Sequence, residues 1–331
     1  MLTLLLFSAA AFAQAPVTNT EPPDDKKGER QRDRDDIQTF KVSVDVVNVF
    51  FNVKDKRGAL VPGLPKDNFE LYEDGQRQTV KYFSTESNQP LTLGLLIDSS
   101  GSQQRVLGME QEVGSQFLAD VLGPKDLAFV ISFDVNVDLL QDFTNSRREL
   151  RDALYRTRIN TGGGSYGPPG LGGGPIPTSR PRGTLLYDAV WLAADNKLGR
   201  EAGRKAMIIL TDGVDQGSQE TVKTAIEAAQ RADAICYVLL IADRDFAQLG
   251  NGAGTMKDLA EQTGGRLIEV GNKFDKLKAA FDQIQSELRS QYSIGYNPTN
   301  NKRDGSFRRV EIRTKEGHKV QARRGYYALA Q

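Results

Sequence analysis

The chain has 331 residues, of which 39% are hydrophobic and 26% charged, a balance that suits a globular protein with more than one core. Lys plus Arg equals Asp plus Glu at 43 each, so the composition gives no sign of nucleic-acid binding. The single cysteine, Cys236, excludes an internal disulfide, and together with the single histidine, His318, it excludes the usual Cys/His zinc sites. A Ser-His-Asp hydrolase is disfavoured because His318 would be its only candidate base.

The chain begins with a short apolar run, residues 2–12, that ends in an Ala11-Phe12-Ala13 cleavage pattern. This run is too short to cross a bilayer, and we expect no later transmembrane segment. We predict a signal peptide over residues 1–13 and a secreted, periplasmic or cell-envelope protein of a bacterium; a misassigned start codon or a buried strand is the alternative. Residues 14–37 are rich in proline and in charges of mixed sign, which predicts a disordered linker rather than a charged helix.

Two segments with period-two alternation, residues 38–88 and 290–329, flank a different middle region. In the first, Asp74-Gly75 between two alternating runs predicts a tight hairpin. The second contains three strand candidates, with a turn at Glu316-Gly317. Each segment is too small to fold stably by itself, so we predict that the two segments pair into one small β-sandwich around the inserted middle region. Two independent β appendages are the alternative.

In residues 90–287, near-continuous apolar strands alternate with amphipathic helices. This pattern predicts an α/β fold: a doubly wound, mostly parallel, Rossmann-like sheet with helices on both faces. Only Val135 and Asn136 separate the second strand from the third, so this pair is expected to be antiparallel, with the third strand at an edge. A glycine- and proline-rich stretch, residues 161–183, precedes the third helix.

Polar side chains collect where two of these strands end. The first strand ends in Asp98 and the fourth in Asp212. With the common strand order 3-2-1-4-5-6 the two strands are neighbours, and both carboxylates face the crevice in which such sheets bind ligands. Ser100 and Ser102 follow the first strand, and Thr184 lies at the start of the third helix. These side chains offer only oxygen donors, which suit Mg²⁺, Mn²⁺ or Ca²⁺ rather than zinc or copper.

Three motifs carry a family resemblance: D-x-S-x-S from Asp98 to Ser102, G-T-x-x-Y-D-A around Thr184, and T-D-G around Asp212. Over about residues 90–285, their order and spacing resemble the metal-ion-dependent adhesion site of the von Willebrand factor type A (VWA) domain. The flanks resemble the bacterial VWFA-related Acidobacterial domain proteins. The resemblance implies that Ser100 and Ser102 coordinate the metal directly and that Thr184 does so in the ligand-bound state. It also implies that Asp98 and Asp212 act wholly or partly through water.

The function that this resemblance implies is a non-catalytic module that binds a protein partner through its metal. A metal among neutral hydroxyls and water-screened carboxylates keeps a positive charge, so we expect the partner to offer an acidic side chain. A structural envelope protein with a stabilising metal site is one alternative. A metal-assisted phosphatase or hydrolase with Asp98 as nucleophile is another, although the haloacid-dehalogenase type needs a second aspartate where this chain has Ser100.

Each of the five predicted metal-site residues also has a purely structural interpretation. Strand-end capping is the alternative for Asp98, Ser100 and Ser102, and a simple helix N-cap is the alternative for Thr184. For Asp212 the alternative is a turn in the loop between a strand and a helix. Asp134 and Asp188 could also face the crevice, but we prefer a hairpin role for the first and a helix-surface role for the second. The glycine- and proline-rich stretch is long for the family, and it either shapes specificity or is a plain insertion.

Overall fold

The first β segment forms four strands. In a computed structural model, residues 46–85, 89–160, 183–241 and 252–330 are described, and the predicted signal peptide and linker lie outside them. All of the described residues belong to one compact unit that begins at Val44. The strands are β1 Val47–Lys54, β2 Phe69–Glu73, β3 Gln76–Gln78 and β4 Val80–Ser84. Asp74 and Gly75 make the predicted tight turn between β2 and β3, with φ angles of 47° and 81°.

The middle region alternates strands and helices as its sequence pattern predicts. Its elements are β5 Leu91–Asp98, α1 Leu107–Val121, β6 Leu127–Phe133, β7 Val137–Thr144, α2 Arg147–Arg156, α3 Leu186–Leu192, β8 Arg204–Thr211, α4 Val222–Arg231, β9 Ala234–Leu240, α5 Gly252–Thr263, β10 Leu267–Glu269 and α6 Phe274–Arg289. Most of the glycine- and proline-rich stretch lies outside the described residues. In the described part of the chain, no helix combines the length and the apolar character that crossing a membrane requires.

The last segment adds four more strands to the molecule. They are β11 Tyr292–Tyr296, β12 Phe307–Thr314, β13 Lys319–Ala322 and β14 Gly325–Tyr327. β11 starts only a few residues after α6 ends, so the inserted region leads directly back into the β-sandwich.

The middle region forms a six-stranded sheet in the order β10-β9-β8-β5-β6-β7. Counted along the insert, this is the predicted order 3-2-1-4-5-6, and β5 and β8 are parallel neighbours. β7 runs antiparallel to β6 and forms one edge. Helices cover both faces of the sheet, so that in β5 the side chains of Leu95 and Ile97 pack in one core and that of Leu96 packs in the other. The predicted doubly wound fold with one antiparallel edge strand is confirmed.

The flanking segments interleave in two four-stranded sheets, with the orders β13-β1-β11-β4 and β14-β12-β2-β3. β11 lies between β1 and β4 and runs antiparallel to both, so strands from both ends of the chain share a sheet. Phe51, Phe69 and Tyr292 pack in the core with ring centroids 5.2–5.3 Å apart. The predicted β-sandwich around an inserted domain is confirmed, and the alternative of two independent appendages is wrong.

Two runs that read as single strands in the sequence are divided in the structure. Residues 76–84 form β3 and β4, which belong to different sheets. Residues 318–327 contain β13 and β14, which also belong to different sheets. No glycine or proline marks the crossing at Thr79, so the sequence gives no break signal there. Gly325 does mark the second crossing, because a Cβ atom there would lie 2.2 Å from the Arg308 carbonyl oxygen.

A buried ion cluster joins the β-sandwich to the inserted region. Glu287, near the end of α6, is fully buried, and its Oε1 lies 2.9 Å from Lys54 Nζ and 2.8 Å from an Arg266 guanidinium nitrogen. Gln321 on β13 donates to Glu287 Oε2 at 3.1 Å, and Asn52 on β1 donates to the Glu287 carbonyl at 2.8 Å. The cluster therefore connects the last helix of the insert to two strands of one sandwich sheet.

Candidate metal centre

Asp98 lies on the buried side of the candidate site, at the carboxyl end of β5. Its Oδ1 accepts a hydrogen bond from the Ser100 amide at 2.9 Å, and its Oδ2 accepts one from Thr211 Oγ1 at 3.0 Å. Thr211 is the last residue of β8, the strand next to β5. Burial raises the pKa of Asp98 to about 7, and the nearby charge of Asp212 adds to the rise. A neighbouring cation would favour the charged form of such a group.

A chain of hydrogen-bonded oxygens leads from this region to the surface. The Ser100 and Ser102 hydroxyl oxygens are 2.9 Å apart, and Ser102 Oγ donates to Asp212 Oδ2 at 2.7 Å. The short 3₁₀ helix Gly101–Arg105, which follows β5 closely, places Ser102. The Val214 amide donates to Asp212 Oδ1 at 3.0 Å and fixes that carboxylate. Ser102 is exposed, whereas Ser100 and Asp212 are partly buried, so the chain of oxygens reaches solvent.

Thr184 joins this region through its backbone. Its amide and carbonyl form two hydrogen bonds of 3.0 Å with the backbone of Gln216, and the Leu185 amide donates to the Asp134 carbonyl at 2.7 Å. Thr184 is buried, and its side chain takes no part in the hydrogen bonds that connect the other four predicted residues. Leu185 is the N-cap of α3, so the alternative that Thr184 caps this helix is wrong.

The other structural alternatives have mixed outcomes. Ser100 is the N-cap of the 3₁₀ helix, but its side chain makes no capping hydrogen bond. Asp134 accepts a hydrogen bond from an amide of the β6–β7 turn at 2.9 Å and one from the Ser99 hydroxyl at 3.2 Å, so it has the preferred hairpin role. Asp188 accepts from two amides of the loop before α4, at 2.8 and 3.1 Å, and so fixes a loop instead of lying free on the helix surface.

The donor set fits a hard divalent cation. The Ser100, Ser102 and Asp212 oxygens form successive contacts of 2.9 and 2.7 Å, close to the buried Asp98 carboxylate. Mg²⁺, Mn²⁺ and Ca²⁺ take oxygen ligands of these kinds. Within the described ranges, no three or more His, Cys, Asp or Glu side chains come together in a group that could hold a metal. A site at this place therefore depends on its hydroxyl groups as well as on its carboxylates.

Two polar neighbours of the site were not predicted from the sequence. Thr211 Oγ1, besides donating to Asp98, accepts from the Gly213 amide at 3.0 Å and so fixes the turn after β8. Gln103 is buried next to the site, with its Nε2 3.4 Å from Ser102 Oγ. Thr211 could have been found from the sequence, because it is the threonine of the T-D-G motif. Gln103 could not, because a glutamine in a loop after a strand is usually exposed.

Glu110 is a third neighbour that sequence reasoning missed. It lies on α1 with 0% of its surface exposed. Burial raises the pKa of Glu110 well above its usual range, and the charges of Asp98 and Asp212 add to the rise. Its position in the helix was the available signal, since Glu110 lies three residues from Leu107 and three from Val113, which are both buried.

The sheet order and the antiparallel edge strand are those predicted from the sequence, and the D-x-S-x-S and T-D-G motifs lie at the carboxyl ends of β5 and β8. The chain has a von Willebrand factor type A fold. No protein-family model matches the chain, and no curated protein matches it.

Several solved structures are similar to this chain in fold. BatB from Bacteroides thetaiotaomicron is 19% identical over 60% of this chain and 100% of that one, with a TM-score of 0.43. The vWF domain of the type V pili tip protein Mfa5 from Porphyromonas gingivalis is 13% identical over 62% and 96%, with a TM-score of 0.45. Proximal thread matrix protein 1 from the mussel byssus, solved with a zinc-occupied MIDAS motif, is 13% identical over 66% and 50%, with a TM-score of 0.48. These likenesses concern the fold alone.

Proposed function

We propose that this protein is a non-catalytic binding module that holds a divalent cation in its VWA domain and uses it to bind a protein partner. The observation that carries the proposal is the chain of hydrogen-bonded oxygens from Ser100 through Ser102 to Asp212, next to the buried Asp98. This chain lies at the carboxyl ends of β5 and β8, where doubly wound sheets bind their ligands.

The roles that we propose for the five residues follow the resemblance. Ser100 and Ser102 hold the cation directly, and Thr184 joins them when the partner is bound. Asp98 and Asp212 act wholly or partly through water. Mg²⁺ is our first choice because it keeps water ligands and needs few protein carboxylates, and Mn²⁺ and Ca²⁺ accept the same donors. When bound, the cation supplies a positive charge that can accept an oxygen ligand from outside the protein.

The charge of the site predicts the chemistry of the partner. Its direct ligands, Ser100 and Ser102, are neutral hydroxyls, so the positive charge of the cation is only partly compensated. An anionic oxygen completes such a shell better than another water molecule does. We therefore propose that the partner contributes an aspartate or glutamate side chain.

The structure gives a physical reason to prefer binding over hydrolysis. A nucleophilic Asp98 would have to reach a substrate, but its carboxylate is 0% exposed and accepts hydrogen bonds on both oxygens. The residue two positions later is Ser100, so the second aspartate of a haloacid-dehalogenase type site is missing. From the signal peptide predicted in residues 1–13, we also propose that the protein acts at the bacterial envelope or outside the cell. A purely structural envelope role is the second candidate, because the same cation would also stabilise the fold.

The test of this function is metal-dependent capture. The protein is immobilised and exposed to proteins of the native envelope, first with Mg²⁺ and then with a chelator. We expect a partner that binds with Mg²⁺ and is released by the chelator. Thr184→Ala should weaken capture more than it weakens metal affinity, because its hydroxyl is proposed to act in the ligand-bound state.

Thr79→Ala is the matched control, since Thr79 is an exposed threonine of the β-sandwich. Capture that persists in the chelator, or that Thr184→Ala leaves unchanged, would move the binding surface away from the metal centre. Stabilisation by Mg²⁺ without any captured partner would favour the structural role. Turnover of a generic phosphoester would favour the enzyme.

A further inference from the structure

Glu110 is a buried acid that has no hydrogen-bond partner among the described residues. It belongs to the face of α1 that packs in the protein interior, and its exposed fraction is 0%. Neither Oε1 nor Oε2 has a hydrogen-bond partner in the structure as described. Buried polar atoms are nearly always paired with protein, water or an ion, and an unpaired one destabilises the fold. The Glu110 carboxyl group therefore points to a water molecule or a cation in its surroundings.

Gln103 provides a second and independent observation of the same kind. It is 1% exposed, and its Oε1 has no partner among the described residues. Its Nε2 lies 3.4 Å from Ser102 Oγ, one of the proposed metal ligands, so the amide adjoins the site directly. Among the described residues, acceptors without donors thus occur on Gln103, next to Ser102, and on Glu110, in the helix α1 that follows the 3₁₀ helix.

The charges of two candidate ligands support a relation between Glu110 and the metal centre. After burial, the charges of Asp98 and Asp212 are the causes that raise the pKa of Glu110. Without a cation, the negative charges of Asp98 and Asp212 disfavour the charged form of the Glu110 carboxyl group. A divalent cation reverses this relation, because each carboxylate then attracts the cation.

We propose that Glu110 is a further acidic residue of the metal centre, a positioning residue that acts on the cation through water from the buried side of the site. This inference rests on the proposed metal-binding function. The partner's acidic side chain approaches from the exposed side, where Ser102 lies. Glu110 therefore strengthens metal binding without competing with the partner. If Glu110 is instead a neutral structural acid, its replacement by glutamine leaves metal affinity unchanged.

Glu110→Gln is the variant that tests this role, because it removes the charge and keeps the size of the side chain. The full chain is titrated with Mg²⁺ and with Mn²⁺ by calorimetry. We expect Glu110→Gln to weaken metal affinity about 10- to 100-fold, as is usual for residues that support metal ligands. Thermal unfolding in chelator is the second readout. There the variant should be as stable as the wild type or more stable, because a repulsive carboxyl group is gone.

Glu112→Gln is the matched control, since Glu112 is an exposed glutamate on the same helix. It should leave both readouts unchanged. Glu110→Asp keeps the charge and should retain more metal affinity than Glu110→Gln; the reverse order would overturn the inference. If the wild type binds metal and Glu110→Gln binds it within about twofold as well, the inference is wrong and the metal centre stands. If the wild type binds neither ion, the proposed function itself is wrong.

Discussion

At the scale of single residues, Thr211 is a buried side chain of the candidate site whose hydroxyl has two hydrogen-bond partners. Its hydroxyl donates to Asp98 Oδ2 and accepts from the Gly213 amide, each at 3.0 Å, and the residue is fully buried. It thus links the carboxylate at the end of β5 to the turn that carries Asp212. A side chain of equal size without a hydroxyl would leave both partners without this bond.

Thr211→Val is therefore expected to reduce the free energy of unfolding by about 1–3 kcal/mol, because buried polar groups lose their partner. The measurement is urea unfolding in the presence of chelator, so that metal binding does not contribute. Thr92→Val makes the same change at a buried position near the start of β5 and serves as the control. Equal unfolding energies for Thr211→Val and the wild type would show that the hydroxyl has no structural role.

The sequence alone predicted that some site residues far apart in the chain lie close together in the fold. Asp98 and Asp212 could be paired because each ends an apolar run and the strand order makes those runs neighbours. Glu110 and Gln103 could not be found in this way, since their importance comes from burial, which depends on the packing of α1 and the 3₁₀ helix. For Thr184 the prediction of a helix start was close, but its backbone pairs with Gln216, a contact that no local pattern contains.

At the scale of elements, buried charged side chains meet where α6 contacts the β-sandwich. Glu287 is 1% exposed in its side chain and lies within 3 Å of cationic groups from Lys54 and Arg266. Burial is the main cause that lowers the pKa of Lys54, and its hydrogen bond to Glu287 opposes the decrease. Without the negative charge of Glu287, Lys54 and Arg266 would lose the counter-ion that they share.

Glu287→Gln should reduce the free energy of unfolding by about 3–5 kcal/mol, because it leaves two partly or fully buried cations without their counter-ion. The comparison is Asp282→Asn on the same helix, where the ion pair with Lys278 is exposed. That change should cost less than about 1 kcal/mol. Chemical denaturation of both variants measures the difference, and a similar small effect for each would contradict the structural role of the cluster.

The predictability of elements also depended on local signals. The hairpin at Asp74-Gly75 could be predicted because an Asp-Gly pair favours the positive φ angles of a tight turn. The structure shows positive φ at both residues. The division between β3 and β4 was missed because Thr79 gives no break signal and the two strands pair with different partners. Strand pairing across the whole chain, not local preference, decides where these strands end.

At the scale of the whole molecule, strands from both ends of the chain complete one another. β11 lies between β1 and β4, and β12 lies between β2 and β14. The insertion could be predicted because both flanks share the same alternating pattern, although their pairing register could not.

Deletion of residues 291–331 should make the protein insoluble, because it removes the central strand β11 and exposes core residues such as Val49 and Phe51. Size-exclusion chromatography and circular dichroism of the truncated protein provide the measurement. A soluble, monomeric truncation with an unchanged β signal would contradict the shared sandwich.

Anomalous scattering from crystals grown with Mn²⁺ tests the central claim most directly, because it locates the ion. We predict a peak within about 2.0–2.6 Å of the Ser100 and Ser102 hydroxyl oxygens. Crystals of Asp98→Ala protein grown in the same way should show no such peak. A wild-type peak only at other positions, or none at all, would contradict a metal centre at the ends of β5 and β8.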